Sequence, residues 1–386
     1  MKHLTGRNQR QNKTSALRRG LSLLALAGIL PTAACATAPE GPDIAPHPAQ
    51  LKFAELSFTP PEAARARSVL SNGTPVYVVE DPSLPLVDLQ VTIRVGAYLV
   101  PAGKEGVAGA VGSQIRAAGV EGRSPEAFDE EVAFLAADMS TSIGNTQGNA
   151  SFNCLTKDIE QVMELFFHML RKPAFDQKRL EIYRSQVLQN LARRNDSTDS
   201  IESREWQRLL RGPEHFTNDK VTKTVVEGIT REDLTAFHRK HFHPGNFIIS
   251  VSGDVKRERV LALLEKHLAG WKSQGGEPAK IPAPGAPASP GVYMVDKPDV
   301  NQGRVGIGHI GVKRDHPDYF ALRVMNHILG GGGFVSRIMS RVRSDEGLAY
   351  TARSSYDFGV YYPGIFRAYF QSKSESVAHA ATLVLE

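Results

Sequence analysis

Residues 273–291 carry five prolines among repeated glycines, and this break constrains the fold more than any other feature of the 386-residue chain. Proline fixes φ and removes a backbone donor, so neither a helix nor a central strand runs through such a stretch. Each side must therefore build its own core. The two sides also repeat one order of elements. Ahead of the break, residues 76–80 and 86–95 read as strands, the second by alternation of Val87, Leu89, Val91, Ile93 and Val95 with polar residues. Residues 106–118 then read as a buried helix of small side chains. Beyond the break, residues 292–295 and 305–310 read as strands and 319–329 as a helix, with further strands over 348–356 and 365–370. The pattern predicts an α+β protein of two related α/β sandwich units, each an antiparallel or mixed sheet with helices on one side. Their expected bounds are 68–272 and 292–386, and the second, which stops in what reads as mid-helix, is expected to be incomplete.

Within the first unit, Asn72-Gly73 is a tight-turn dipeptide between short strands, and residues 139–154 return to strand character. Helices are expected over 158–170, 176–192, 230–240 and 256–268. The third opens on Thr230 with Asp233 three residues on, a capping pattern. An apolar strand is expected at 247–251.

The net charge of +5 invites a nucleic-acid reading, but the charge is unevenly placed. Lys2, Arg7, Arg10, Lys13, Arg18 and Arg19 all precede residue 35, and no acidic residue does; without them, 40 basic side chains face 41 acidic ones. No electrostatic case for nucleic acid survives. The first 34 residues instead have the parts of an export signal: a basic start, the apolar run 21–30, then small residues ending at Cys35. Ten apolar residues are too few to span a hydrocarbon core about 30 Å thick. Thr32-Ala33-Ala34-Cys35 favours lipidation of Cys35 over a cut after Ala36 or Ala38 that would discard it. Either route exports the chain, and residues 35–67, rich in Pro and Ala, read as a tether. The expected location is the periplasm, or the outer membrane as a lipoprotein, of a Gram-negative bacterium. The other cysteine, Cys154, would then lack an intramolecular disulfide partner and reads as a small core residue.

Short strings along residues 68–372 add an identity to this outline. They are Leu70-Ser71-Asn72-Gly73, Arg94-Val95-Gly96-Ala97, Gly106-Val107-Ala108, His241-Phe242-His243-Pro244-Gly245-Asn246, Ser252-Gly253-Asp254, Leu329 with Gly330 to Gly333, Ser336-Arg337, and Arg343 with Gly347-Leu348-Ala349-Tyr350. In this order they resemble the pitrilysin/insulinase-type (inverzincin) metallopeptidases, in particular the processing-peptidase-like subgroup. The resemblance implies half of a clamshell that encloses peptides. It also implies His-x-x-Glu-His on the helix after Gly106, with a later glutamate completing the zinc ligands. Here that window reads Gly109-Ala110-Val111-Gly112-Ser113, and the later position is Asn190. Both imidazoles and both carboxylates are missing, so no metal site and no intrinsic peptidase activity are expected.

His238, His241 and His243 form the densest histidine cluster, and as helix-end residues they are expected to compensate the helix dipole or face solvent rather than bind metal. His309 and His327 read as packing residues. In the second unit, Arg343 and Tyr350 keep the seven-residue spacing with which family members reach across to substrate in a partner's site. The bland alternative pairs Arg343 with Asp345 or Glu346 and lets Tyr350 pack. Gly330, Gly331, Gly332 and Gly333 read as a substrate-touching loop, with Phe334 as an apolar contact, rather than as a helix cap alone. Residues 145–153 read equally as a strand edge for a peptide or as an interior strand. The resemblance thus implies a non-catalytic subunit that binds peptides and lends Arg343 and Tyr350 to a zinc-bearing relative. The rival expectation is a peptide-binding or scaffold protein with no part in hydrolysis.

Overall fold

The computed structural model describes residues 47, 50–51, 57–60, 62–218, 220–273 and 279–386. Cys35, the export signal and the cleavage positions Ala36 and Ala38 lie outside the described residues, as does most of the tether.

Nine strands form two sheets among the described residues. The first contains β1 (Arg67–Val69), β2 (Pro75–Glu80), β3 (Leu86–Ile93), β4 (Asp138–Ile143), β5 (Gly148–Leu155) and β6 (Phe247–Gly253), in the order β1-β2-β6-β3-β5-β4. All neighbours are antiparallel except β2 and β6. The alternation in β3 does what its period predicts: Val87, Leu89, Val91 and Ile93 are buried while Asp88 and Gln90 face outward. The helices Val107–Ala117, Ile159–Arg171, Arg231–His241 and Arg257–Leu268 cover the apolar face. Val111, Ile115, Phe166, Leu170 and Leu264 meet the sheet there, each fully buried aliphatic or aromatic side chain contributing about 1.5–3 kcal/mol. Cys154 belongs to this core, and burial pushes its thiol up to about 12.

Local chemistry accounts for several boundaries. Gly73 takes φ +86° in the β1–β2 turn, where Asn72 Oδ1 accepts from Thr74 N at 3.0 Å. Thr230 and Asp233 form the expected reciprocal cap. The longer helices that were not anticipated are Pro125–Phe134, capped by Ser124 Oγ, and Thr198–Arg211.

The second sheet contains β7 (Gln302–Ile310), β8 (Ala349–Tyr356) and β9 (Ile365–Lys373), ordered β7-β9-β8 and antiparallel throughout. The arrangement β7-β9-β8 repeats β3-β5-β4 of the first sheet, in each case one strand, helical segments, a strand pair and a helix. Residues 292–295, expected as a strand, lie outside every sheet among the described residues, and Val292 is 99 % exposed. A β-branched run favours extended backbone, but a strand exists only where a neighbour supplies its hydrogen bonds.

The Thr198–Arg211 helix, which precedes the proline-rich segment, packs on the second sheet. Its Glu202 carboxylate accepts from Arg304 Nε at 3.2 Å and from Arg367 Nη1 at 3.1 Å, while Asp199 pairs with Arg304. Arg211 lies 4.7 Å over the Tyr362 ring. The proline-rich segment is laid along the same helix, with Gly285 N donating to Arg211 O and Ala288 N to Leu209 O.

Candidate functional site

The helix that should carry the metal ligands, Val107–Ala117, starts from Gly106 at φ +95° and runs against the outer strand β4. Gly112 sits where the two backbones touch. A Cβ built on it would fall 2.9 Å from the Ser142 carbonyl carbon and closer still to Ile143 N, far inside ordinary contact. Thr141 Oγ1 fastens the same point by donating to Gly112 O at 2.7 Å. Gly109, one turn earlier, is exposed, and a Cβ there would meet only the Tyr183 hydroxyl at 3.5 Å. Ser113 lines an open cleft of about 350 Å³ with Gly109, Arg116, Met139 and Ile143. Arg116 Nη1 is paired to Asp129 at 2.5 Å. Asn190 is exposed near the end of the Gln177–Ala192 helix.

These donors do not fit zinc. Two positions have no side chain, and a hydroxyl and a carboxamide are weak neutral ligands that cannot replace two imidazoles and a carboxylate. Position 112 is more than chemically empty: the close approach of helix and strand leaves no room for a carboxylate stem.

The histidine cluster is buried rather than solvent-facing, which corrects the expectation drawn from its place at a helix end. His238, His241 and His243 are all within the interior. His238 Nε2 bonds to Leu170 O at 2.8 Å and its ring stacks on Phe242 at 4.9 Å. His241 lies 4.6 Å from Phe237, and His243 Nε2 meets Asn246 Nδ2 at 3.2 Å. Burial pushes His238 and His241 down to about 4, so both are neutral near pH 7. Their rings serve as flat aromatic packing, each with its own partners, Phe175 and Phe242 for His238 and Phe237 for His241. His309 and His327 are exposed instead of packed inside, although His309 keeps contact with Phe366 at 5.4 Å.

Of the two readings of residues 145–153, the interior strand is the one the sheet contains. β5 pairs on one side with β3 and on the other with β4, which uses both of its edges. The outer edge belongs to β4, beside the cleft.

In the second unit the residues singled out by spacing come together. Arg343 Cζ lies 4.7 Å from the Phe334 ring centroid and 4.7 Å from that of Tyr350. The two rings are 69 % and 81 % exposed. Neither Asp345 nor Glu346 pairs with Arg343 among the described residues; Glu346 accepts instead from Arg341 Nη1 at 3.3 Å. Gly347, at φ +66°, makes the turn that brings the strand start bearing Tyr350 back beside the helical turn bearing Arg343. That turn, Ser340–Asp345, and the segment His327–Gly331 are both wound as π-helix, a widening often found near functional residues.

The four glycines divide by role. Gly330 is buried, and a Cβ there would lie 2.6 Å from Ser354 Oγ. A Cβ on Gly331 would lie 2.7 Å from Asn326 Nδ2, and one on Gly332 would lie 2.7 Å from His327 O. Packing explains these three. Gly333 alone stands in open space, at φ +71°, and turns the chain so that Phe334 projects.

Residues 228–386 match the family described as peptidase M16 inactive domain. An uncharacterized zinc protease of Mycobacterium leprae is 26% identical over 240 residues, which cover 59% of this chain and 54% of that protein. The chain therefore spans about half the length of that relative. An uncharacterized zinc protease of Rickettsia bellii is 22% identical over 306 residues, covering 78% of this chain and 72% of the relative. Among solved structures, the peptidase M16 inactive domain from Pseudomonas fluorescens superposes with a TM-score of 0.75 at 27% identity, covering 82% of this chain and 76% of that one. Residues 228–386 thus match the M16 inactive-domain family, and the chain is similar to pitrilysin/insulinase-type (M16) peptidases while lacking the His-x-x-Glu-His motif.

Proposed function

We propose that this protein is the non-catalytic subunit of a heterodimeric zinc metallopeptidase in the bacterial envelope. It is exported by its leader and held as a lipoprotein through Cys35, in the periplasm or at the outer membrane. It closes one side of a peptide-binding chamber and supplies Arg343 and Tyr350 to a zinc site carried by a family relative. One observation carries the reading: a half-buried cationic fork stands beside an exposed phenol, while each position where the family places a zinc ligand or base holds glycine, serine or asparagine. A guanidinium and a phenol hydroxyl are both donors, suited to a substrate carbonyl oxygen and to the negative charge it gains during attack by water. Zinc belongs to the partner in this scheme, and peptides or unfolded segments are the substrates.

The test mixes the purified chain with its zinc-bearing relative and follows peptide hydrolysis. The mixture is expected to exceed the relative alone. Arg343→Ala should lower kcat by about 10²–10³, the usual cost of losing one transition-state donor. If the relative cleaves as fast alone, and Arg343→Ala changes nothing, the proposal fails.

The free edge of β4 beside the cleft favours a second reading, a peptide-binding scaffold with no part in hydrolysis. It predicts peptide affinity without rate enhancement, and indifference to Arg343→Ala.

A further inference from the structure

We infer that Phe334 is a positioning residue for Arg343: its ring and that of Tyr350 hold the guanidinium where it donates to a peptide oxygen. The inference rests on the reading of Arg343 and Tyr350 just given and assigns Phe334 a role other than direct contact with substrate. Arg343 Cζ lies 4.7 Å from the centroid of each ring. The guanidinium is a planar fork of N–H donors, and a cation packed on aromatic rings is held in place by their quadrupoles. A backbone carbonyl or a C-terminal carboxylate is a planar acceptor suited to such a fork. An extended peptide offers such groups at every residue.

The stack also withholds Arg343 from its own neighbours. Asp345 and Glu346 follow within three residues, and an unrestrained arginine would collapse onto either carboxylate. Arg341 occupies Glu346 at 3.3 Å, and the rings hold Arg343 away from Asp345. Nothing about Phe334 suggests an ordinary core residue, for it is exposed and its own segment is pinned from below. Ser336 Oγ donates to Gly333 O at 2.6 Å and Ser340 Oγ to Phe334 O at 3.4 Å, while Gly333 supplies the left-handed turn. The backbone is fixed so that one aromatic ring faces one cation.

The experiment compares wild type, Phe334→Leu, Phe334→Tyr and Arg343→Ala in the full chain by two measurements. In arginine side-chain NMR, the Arg343 Nε–Hε signal is expected to be displaced upfield by the two ring currents. It should move toward the ordinary position in Phe334→Leu and return in Phe334→Tyr. In the mixture with the zinc-bearing relative, Phe334→Leu should lower kcat about fivefold with little change in KM, the weight of one exposed cation–π contact, and Phe334→Tyr should restore it. An unshifted Arg343 signal overturns the inference. So does full activity of Phe334→Leu alongside a crippled Arg343→Ala, an outcome that leaves the proposed function standing. Absence of any rate enhancement by the wild-type chain removes the proposed function, and this inference with it.

Discussion

Gly109 and Gly112 lie three residues apart on one helix, and replacing each by alanine should move stability in opposite directions. At 109 the new methyl meets the Tyr183 hydroxyl at 3.5 Å, an ordinary contact. The helix gains about 0.5–1 kcal/mol because alanine loses less backbone freedom than glycine on folding. At 112 the methyl falls 2.9 Å from the Ser142 carbonyl carbon and 3.1 Å from its Cα, and these are backbone atoms of a strand that cannot swing aside. The helix must back away from β4, which strains the Thr141–Gly112 hydrogen bond and loosens Ala110, Val111 and Ile115 in the core. Overpacking of this kind costs about 1–3 kcal/mol and a weakened hydrogen bond about 1 kcal/mol more. The propensity gain offsets roughly 1 kcal/mol, leaving Gly112→Ala less stable by about 1–3 kcal/mol. Thermal melts should therefore place Gly109→Ala at or slightly above wild type and Gly112→Ala several degrees below, at about 2–4 °C per kcal/mol. Urea titration would give the same order. A Gly112→Ala variant as stable as Gly109→Ala would refute the close packing of helix on strand, and with it the argument that a catalytic carboxylate cannot be put back at this position.

Two further outcomes follow from burial and charge. His238 and His241 are held near 4 when folded but titrate near 6.5 when unfolded, so the unfolded chain binds more protons between those values. Their contribution is complete above about pH 6.5 and declines as pH falls toward 4, by up to about 1.4 kcal/mol per pH unit for each ring. Urea midpoints at pH 7, 6 and 5 check this, and His238→Phe should flatten the slope; equal slopes for variant and wild type would count against it. Glu202→Gln removes the anion between Arg304 and Arg367 and should destabilise by about 1–3 kcal/mol, since Arg367 then loses its carboxylate partner and Arg304 keeps only Asp199. Faster amide exchange confined to the Thr198–Arg211 helix and strands β7 and β9 is the expected sign, and unchanged exchange there would contradict it.

Sequence alone determined what depends on residue identity and local period. A proline-rich break cannot be helix or central strand, so no regular element is expected to run through 273–291. Alternation in 86–95 settles which side chains of β3 are buried, and glycine, glycine, serine and asparagine cannot hold zinc in any fold. The tertiary structure decided what depends on distant neighbours. Residues 145–153 look alike as edge or interior strand, and only the long-range pairing with both β3 and β4 makes β5 interior. Helix-end histidines look solvent-facing until distant residues close over them, as Leu170 and Phe175 do over His238. A glycine reads as mere absence of a side chain, yet at 112 it is the point where two backbones touch, and at 333 it is the hinge that aims Phe334. The seven-residue interval from Arg343 to Tyr350 was visible as spacing, whereas the ring of Phe334, nine residues upstream on a different turn, was not tied to it. Local pattern records which face of an element is apolar; it carries no record of what that face will meet, because contacts between elements arise from packing across the whole chain.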